Sequence, residues 1–280
     1  MELFRALAAY CERPTAAIAA ALDLPLPAAA DCAELFTFQL YPYASVYVGA
    51  DGMLGGDAAD RVAGFWRAVG VTPPAEPDHL AALLGLYAAF AEGQGDRARH
   101  FRHALLWEHM LSWLPPWLAR VEELAAEPYA GWARLLLAAL VAEAEELGPP
   151  AVQPLHLRLA PPSAGLESVF AAVRSGVIVT RADLGRAARD LGLGLRQGER
   201  RYLLAALLAQ DAASVASWLA GEAGHQAAIH RSVPLAWRPV AEHWTARAEA
   251  TAGEFGRLAH EADPTEPASW GGEEVVVNAR

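Results

Sequence analysis

Apolar residues recur at the spacing of an α-helix along most of this 280-residue chain, and this periodicity restricts its fold most. Alanine and leucine dominate, β-branched residues are sparse, and runs that alternate polar and apolar residues are nearly absent. Such composition and spacing favour helices over strands. Because 54% of the residues are hydrophobic, including nine Trp, the chain can bury a substantial core. We therefore predict an all-α protein, built as a multi-helix bundle.

Prolines and glycines divide the first half into helices. The segment 41–57, "YPYASVYVGADGMLGGD", lacks periodicity and is predicted to be an irregular, partly buried connection. A double proline cannot lie inside a helix without losing hydrogen bonds, so the helical run over 97–125 should break at Pro115 and Pro116. The other predicted helices cover 3–11, the residues after a Thr15 cap, 29–40, 58–69 with Gly70 at its end, 77–92 and 130–147.

The second half begins after a proline-rich segment. We predict a helical domain over 1–148, a linker over 149–164, a helical C-terminal portion over 165–262 and a flexible tail over 263–280. Thr180 and Asp183 have the spacing of a capping box. A faint resemblance of 177–195 to a helix-turn-helix lacks the basic stripe that DNA binding needs.

The chain is acidic, with a formal net charge of −11. Residues 1–148 contain 19 acids and 9 arginines, whereas 149–280 contain 14 acids and 13 arginines. This distribution disfavours nucleic acid as a partner and favours a cationic one. Two cysteines are too few for a disulfide framework, and neither a secretory signal nor a membrane-spanning run is recognisable. We expect a cytoplasmic protein without an integral membrane segment.

The segment 76–87, "EPDHLAALLGLY", places Glu76, Pro77, Asp78 and His79 directly before an apolar helical run. Residues next to each other on a helix point about 100° apart, so Asp78 and His79 do not form a catalytic pair. No G-x-S-x-G elbow, phosphate loop or G-x-G-x-x-G motif is present. Elsewhere, His100 could lie near a second histidine, His103, but zinc-site spacings such as H-E-x-x-H and C-x-x-C are absent. The sequence therefore predicts no metal or other cofactor.

Helix-start chemistry is the alternative interpretation of this segment. Proline is favoured at the first helical position, and acids suit the positive end of the helix dipole. Glu76, Pro77 and Asp78 fit that role, whereas a protonated His79 would face the wrong end of the dipole. Helix-start chemistry thus leaves His79 unexplained, and a role of His79 in ligand recognition remains an open interpretation.

Three segments in order resemble the TorD/DmsD/NarJ family of chaperones for molybdenum-cofactor oxidoreductases. "EPDHL" (76–80) is similar to the family's E-P-x-D-H or E-P-D-H element, and "YPYASVY" (41–47) is similar to its P-x-x-S-x-Y segment. "EHMLSWLPPW" (108–117) resembles its H-L-x-x-W-x-P-x-F helix end. The resemblance covers roughly residues 30–147, so 149–280 exceeds what compact members of the family need.

The resemblance implies an all-α, TorD-like chaperone without catalytic activity. It would bind the N-terminal leader, in many members a twin-arginine signal, of the apo form of a molybdopterin oxidoreductase subunit until its cofactor is inserted. The residues that the resemblance ties to peptide binding are Tyr43, Ser45, Tyr47, Glu76, Pro77, Asp78, His79, His109 and Trp113. Trp66 and Tyr87 join them as aromatic candidates for the same surface, although aromatic residues at helical spacing are core residues by default.

Two alternatives remain open. A NarJ-like assembly factor would bind the leader of a membrane-anchored nitrate reductase that is never exported. A helical metal-dependent enzyme is the other. The sequence does not determine the oligomeric state, the identity of the partner enzyme or the role of 149–280.

Overall fold

The computed structural model describes residues 2–163, 165–166 and 168–262, and in this part of the chain it contains fifteen α-helices and no strand. The all-α prediction is confirmed. None of these helices is both long and apolar enough to cross a membrane. The helices are α1 (Glu2–Glu12), α2 (Ala16–Ala21), α3 (Ala29–Cys32), α4 (Ala44–Val48), α5 (Gly56–Ala68), α6 (Leu80–Glu92), α7 (Asp96–Ala104), α8 (Leu114–Leu124), α9 (Glu127–Leu147), α10 (Leu155–Arg158), α11 (Ala172–Ser175), α12 (Arg181–Asp190), α13 (Arg200–Leu208), α14 (Ala212–Arg231) and α15 (Arg238–Ala262).

Several predicted helix ends are confirmed by their capping groups. The Thr15 hydroxyl accepts a hydrogen bond from the backbone N–H of Ile18 at the start of α2. Thr180 and Asp183 form the reciprocal capping box of α12, which satisfies two of its free N-terminal N–H groups. Gly70 follows α5 with a φ of 82°, a conformation that glycine adopts at little cost.

Two predictions about the first half need correction. The segment 41–57 is not irregular throughout, because it contains the buried helix α4. The break between α7 and α8 lies at 111–113, and Pro115 and Pro116 belong to the first turn of α8, where their missing N–H groups have no helical partner in any case. Both α3 and α7 continue directly into π-helical turns, Ala33–Gln39 and Leu105–Met110.

The first hydrophobic core lies among α1, α6, α8 and α9 and is rich in tryptophan. Trp107, Trp113, Trp117 and Trp132 are fully buried. Three of them satisfy their indole N–H groups with backbone carbonyls, as buried polar groups require: Trp107 donates to Gly148, Trp113 to His109 and Trp132 to Leu7. The aromatic residues at helical spacing therefore form a core in the first half.

A second core is built by the C-terminal helices around Leu184, Leu204, Leu219 and Phe255. Helix α15 packs along α14 and reaches both cores, since its residue Trp244 lies in the first one. The proline-rich segment after α9 carries α10, whose residues His156 and Leu157 are buried. The division into domains stays a prediction, and its tail over 263–280 lies outside the described residues.

A buried ion network also connects the two halves. The guanidinium of Arg120 on α8 lies 2.6 Å from the carboxylate of Asp183 on α12 and 3.5 Å from that of Glu222 on α14. Arg186 lies 2.5 Å from Glu222 as well. Because the buried charges neutralise one another, removing a single partner would leave an uncompensated charge.

Candidate functional site

The segments "YPYAS" and "EPDHL" meet in the structure. They run antiparallel and form a bridge between Tyr43 and His79. The N–H of Ala44 donates to the carbonyl of Asp78 at 3.0 Å, and the N–H of Leu80 donates to the carbonyl of Pro42 at 2.8 Å. Two motifs that lie more than thirty residues apart therefore form one backbone unit.

Asp78 fixes this unit from inside. Its side chain is 3% exposed, and one carboxylate oxygen accepts a hydrogen bond from the N–H of Ser45 at 2.9 Å. Ser45 lies in the first turn of α4, whose free N–H groups favour a negative charge. The Ser45 hydroxyl in turn accepts from the N–H of Gly55 at 3.0 Å. Asp78 and Ser45 thus hold the loops around α4 together.

His79 is the N-cap residue of helix α6, so the helix starts at Leu80 and not, as expected, at Pro77. Its backbone is extended, and its Nδ1 accepts a hydrogen bond from the N–H of Ala81 at 3.1 Å. Nδ1 must therefore be unprotonated, which is consistent with burial lowering the pKa of His79. The neutral imidazole removes the conflict with the helix dipole, so the residue that helix-start chemistry left unexplained is itself the cap.

The outer side of this unit is a half-buried aromatic pair beside acids. The Tyr43 and His79 rings pack edge to face, with centroids 4.8 Å apart. The pKa of Tyr43 is raised to about 12, mainly by burial and to a smaller extent by the neighbouring Glu76 carboxylate. Glu76 is exposed, and Glu12 is exposed and acts electrostatically on both rings. We call Tyr43, Glu76, Pro77, His79 and Glu12 the motif junction.

Trp66 on α5 packs against the buried side of the motif junction. It is 8% exposed, and its indole N–H donates to the carbonyl of Pro77 at 3.1 Å. Its place in α5 brings a third element against the two motif segments.

A second group of predicted residues is fully enclosed. Tyr47 stacks on Trp113 with ring centroids 5.4 Å apart and an interplanar angle of 2°. The indole N–H of Trp113 donates to the carbonyl of His109, and the His109 ring lies 3.3 Å, nitrogen to nitrogen, from that of His156. We call Tyr47, His109, Trp113 and His156 the buried aromatic cluster.

Both histidines of this cluster are neutral. Burial lowers the pKa of His109 to about 4 and that of His156 to about 3. The neighbouring cation Arg61, whose Nε donates to Nδ1 of His156 at 3.3 Å, lowers both further. The four side chains are buried, and they support α4 by ring stacking and hydrogen bonds.

Tyr87, the remaining predicted residue, contacts different partners. It is buried, packs on Phe4 with ring centroids 4.8 Å apart and donates a hydrogen bond to Glu143. Burial and that hydrogen bond both raise its pKa.

Sequence reasoning missed three residues near these groups. Glu12 is the last residue of α1 and has no motif around it, and Arg61 lies on α5 among ordinary helix residues. His156 carried a weak signal, since it stands in a short apolar stretch between prolines in the predicted linker. Across the described residues, no group of three or more His, Cys, Asp or Glu is arranged to hold a metal ion.

Comparison with known proteins agrees with the motifs. Residues 4–119 match the family model described as "Nitrate reductase delta subunit". Two relatives named "Chaperone protein TorD", from Vibrio vulnificus strains CMCP6 and YJ016, are each 31% identical over 119 residues. These alignments cover 36% of this chain and 54% of each relative, so the chain spans about half the length of the curated relatives it matches. No solved structure matches the chain.

The matched segment lies within an all-α bundle and contains all three motif segments. Through residues 4–119 the chain is therefore similar to the NarJ/TorD family of maturation chaperones. This match contains every residue of the motif junction and all of the buried aromatic cluster except His156.

Proposed function

We propose that this protein is a cytoplasmic chaperone that binds the N-terminal leader of a molybdopterin oxidoreductase subunit, its client, until the cofactor has been inserted. The leader would carry a twin-arginine signal. The family match and the two TorD relatives support a maturation role. The protein would act by binding and release, without catalysing a reaction.

The observation that carries the proposal is the exposed, acidic side of the motif junction. Glu76 and Glu12 are exposed carboxylates beside the half-buried rings of Tyr43 and His79. Carboxylates bind guanidinium groups through short, charge-assisted hydrogen bonds, and aromatic rings pack against the same groups. An arginine pair thus has suitable partners here, whereas Asp78, Ser45 and the buried aromatic cluster hold these partners in place.

The test is calorimetric titration with a twin-arginine leader peptide. We expect the wild type to bind it, and a peptide with both arginines replaced by glutamine to bind at least about tenfold more weakly, because two charge-assisted contacts are lost. The protein variant Glu12→Gln with Glu76→Gln should weaken binding of the arginine peptide to a similar extent. Its matched control is Glu145→Gln with Glu261→Gln, which removes two exposed acids outside the motif junction.

Equal affinity for the two peptides would contradict the proposed role of the arginine pair. An equal loss of affinity in the control variant would show that net charge alone attracts the peptide, and would remove the motif junction from the proposal.

A NarJ-like assembly factor is the second candidate function, favoured by the description of the matching family model as a nitrate reductase subunit. Such a protein would bind a leader without the arginine pair. Titration with the N-terminal peptide of a membrane-anchored nitrate reductase separates the two candidates. Tighter binding of that peptide, with no loss in the Glu12→Gln and Glu76→Gln variant, would favour the NarJ-like function.

A further inference from the structure

A cavity of about 380 Å³ lies where the two halves of the chain meet. One wall comes from the family-matched segment, at the end of the first π-helical turn and the loop after α4, and the other comes from the starts of α12 and α13. Its volume lies at the lower end of the ~300–1,000 Å³ typical of ligand pockets. Because the second wall lies beyond residue 119, the cavity is only partly within the segment that the family model matches.

The two walls are held against each other. A Cβ atom at Gly52 would overlap the carbonyl oxygen of Phe170, so the loop and the C-terminal half approach as closely as only glycine permits. Beside it, the N–H of Ala182 donates to the side-chain oxygen of Gln39 at 2.9 Å. The cavity is therefore a defined part of the fold.

Three arginines line the C-terminal wall: Arg181, Arg200 and Arg201. Arg181 donates to the carbonyl of Gly198 and Arg200 to that of Val179, both at 2.8 Å, while Arg201 is exposed. Within the described part of the chain, no carboxylate lies within ion-pair distance of any of the three. Most donors of these guanidinium groups thus remain available, since each group has five N–H donors.

Helix stability does not explain these arginines. Arg181 is the first residue of α12, and Arg200 and Arg201 are the first two of α13, where the helix dipole favours acids over cations. The Arg200 guanidinium also lies over the Phe170 ring, 5.2 Å from its centroid, and burial lowers its pKa. The same wall carries one acid, the exposed Glu199, so three arginines against one carboxylate leave net positive charge at this cavity of a chain whose net charge is −11.

The opposite wall exposes large apolar side chains. Phe38 and Tyr41 are 45% and 40% exposed, and Met53 and Leu54 are 63% and 62% exposed. All four line the same cavity. Clustered exposed apolar residues of this kind mark interaction sites, because burying them against a partner is favourable.

We propose that this cavity binds a client segment in which large apolar side chains stand next to carboxylates. The inference rests on the proposed function, because the occupant is part of the client, and it assigns to the C-terminal half a role that the family match does not cover. The apolar wall receives the apolar side chains, and the arginines bind the carboxylates. The site is opposite in charge to the motif junction, so the two contact different parts of the client.

Fluorescence anisotropy with a labelled peptide, Glu-Glu-Leu-Val-Phe-Leu, tests the inference on the full chain. Arg201→Glu and Leu54→Ser change exposed residues of the two walls, so folding should be unaffected. Each should weaken the Kd roughly fivefold or more, as expected for the loss of one charged or apolar contact. The matched controls Arg257→Glu and Leu235→Ser, exposed but outside this cavity, should stay within about twofold of wild type.

Two control peptides separate the contributions. Glu-Glu-Ser-Thr-Ser-Ser should bind more weakly than the first peptide, and Arg-Arg-Leu-Val-Phe-Leu should be insensitive to Arg201→Glu. If the proposed function were wrong, the affinity for the twin-arginine leader peptide would instead be the same in wild type and in the Glu12→Gln with Glu76→Gln variant. The two failures are therefore distinguishable.

Three results would overturn the inference. These are no binding of Glu-Glu-Leu-Val-Phe-Leu, equal weakening in the cavity variants and their controls, and binding that appears only when the chain is truncated after Ala262. The last result would assign the cavity to the chain's own residues 263–280, which include Glu273 and Glu274 followed by three valines.

Discussion

The motif junction and the buried aromatic cluster consist of similar residues but face different surroundings. The junction has Tyr43 and His79 at the surface beside exposed acids, whereas Tyr47, His109 and Trp113 are enclosed and lie beside the cation Arg61. Helix α4 connects them, since Asp78 holds its first turn and Trp113 stacks on its residue Tyr47. Residues of one sequence pattern therefore divide into those at the surface, which we propose contact the leader, and those that support them from the interior.

This division predicts two kinds of variant. Changes in the buried aromatic cluster should lower the free energy of unfolding and affect peptide binding only through the loss of folded protein. Changes at the surface of the motif junction should weaken binding with little effect on stability.

The largest expected effect is that of Trp113→Ala. Truncating this fully buried indole removes its stack on Tyr47 and leaves a cavity, which should lower the free energy of unfolding by about 3–5 kcal/mol. Urea denaturation measures this as a lower midpoint with an unchanged slope. Trp113→Phe, which keeps an aromatic ring against Tyr47, should lose clearly less. A Trp113→Ala protein of wild-type stability with impaired peptide binding would break the comparison.

Asp78→Ala should have the next largest effect. The change removes a buried acceptor from the N–H of Ser45, and losing a charged hydrogen bond of this kind costs about 1.5–3 kcal/mol. The expected result is a lower urea midpoint, together with a wild-type Kd for the leader peptide once the fraction folded is taken into account. Glu76→Ala changes an exposed neighbour and should give the opposite result, with weaker peptide binding and a urea midpoint close to that of the wild type. Full stability in the Asp78→Ala protein would move Asp78 from the supporting group to the ligand-binding one.

The buried aromatic cluster should also make stability depend on pH. A histidine whose folded-state pKa is below its unfolded value of about 6.5 stabilises the fold fully above that pH, and this contribution is lost as pH falls towards the folded pKa. The folded values are about 4 for His109 and about 3 for His156, so the loss runs between roughly pH 6.5 and 3. Each such group contributes up to about 1.4 kcal/mol per pH unit.

Replacing one of these histidines isolates its contribution. Urea denaturation at pH 7 and pH 5 should show His156→Gln losing about 2 kcal/mol less stability between the two pH values than the wild type. Glutamine can still accept the hydrogen bond from Arg61, which preserves the local packing. An identical pH dependence in His156→Gln and wild type would contradict a neutral, buried His156.

Periodicity and local capping signals predicted most of the fold because those features act within a few residues. The capping box at Thr180 and the cap at Thr15 are of this kind. Helix α4 was missed because its sequence, "ASVYV", has weak helix propensity and follows a proline segment, and its first turn is stabilised by Asp78 from far along the chain. Formation of α4 therefore depends on tertiary contacts and not on local sequence.

For the candidate site, the resemblance selected segments that do meet in space, but it could not separate their exposed residues from their buried ones. Asp78 and His79 are neighbours in one motif, yet the first is enclosed and the second reaches the surface. The arginines at the starts of α12 and α13 belong to no recognised motif, and only the packing of the two halves brings them to one cavity. Burial and long-range juxtaposition are properties of the folded chain.

Variants of His79 have the smallest expected effect on stability. They separate its two roles, as helix cap and as part of the motif junction. His79→Ala loses the cap of α6 and should lower the free energy of unfolding by about 1 kcal/mol. His79→Asn restores a favoured cap, so its urea midpoint should match the wild type, but it removes the ring that packs on Tyr43. If His79 contacts the leader, both variants should weaken the Kd in calorimetric titration to a similar extent despite their different stabilities. Recovery of full affinity in His79→Asn would mean that the cap alone matters, and the recognition surface would then consist of Tyr43 and the acids beside it.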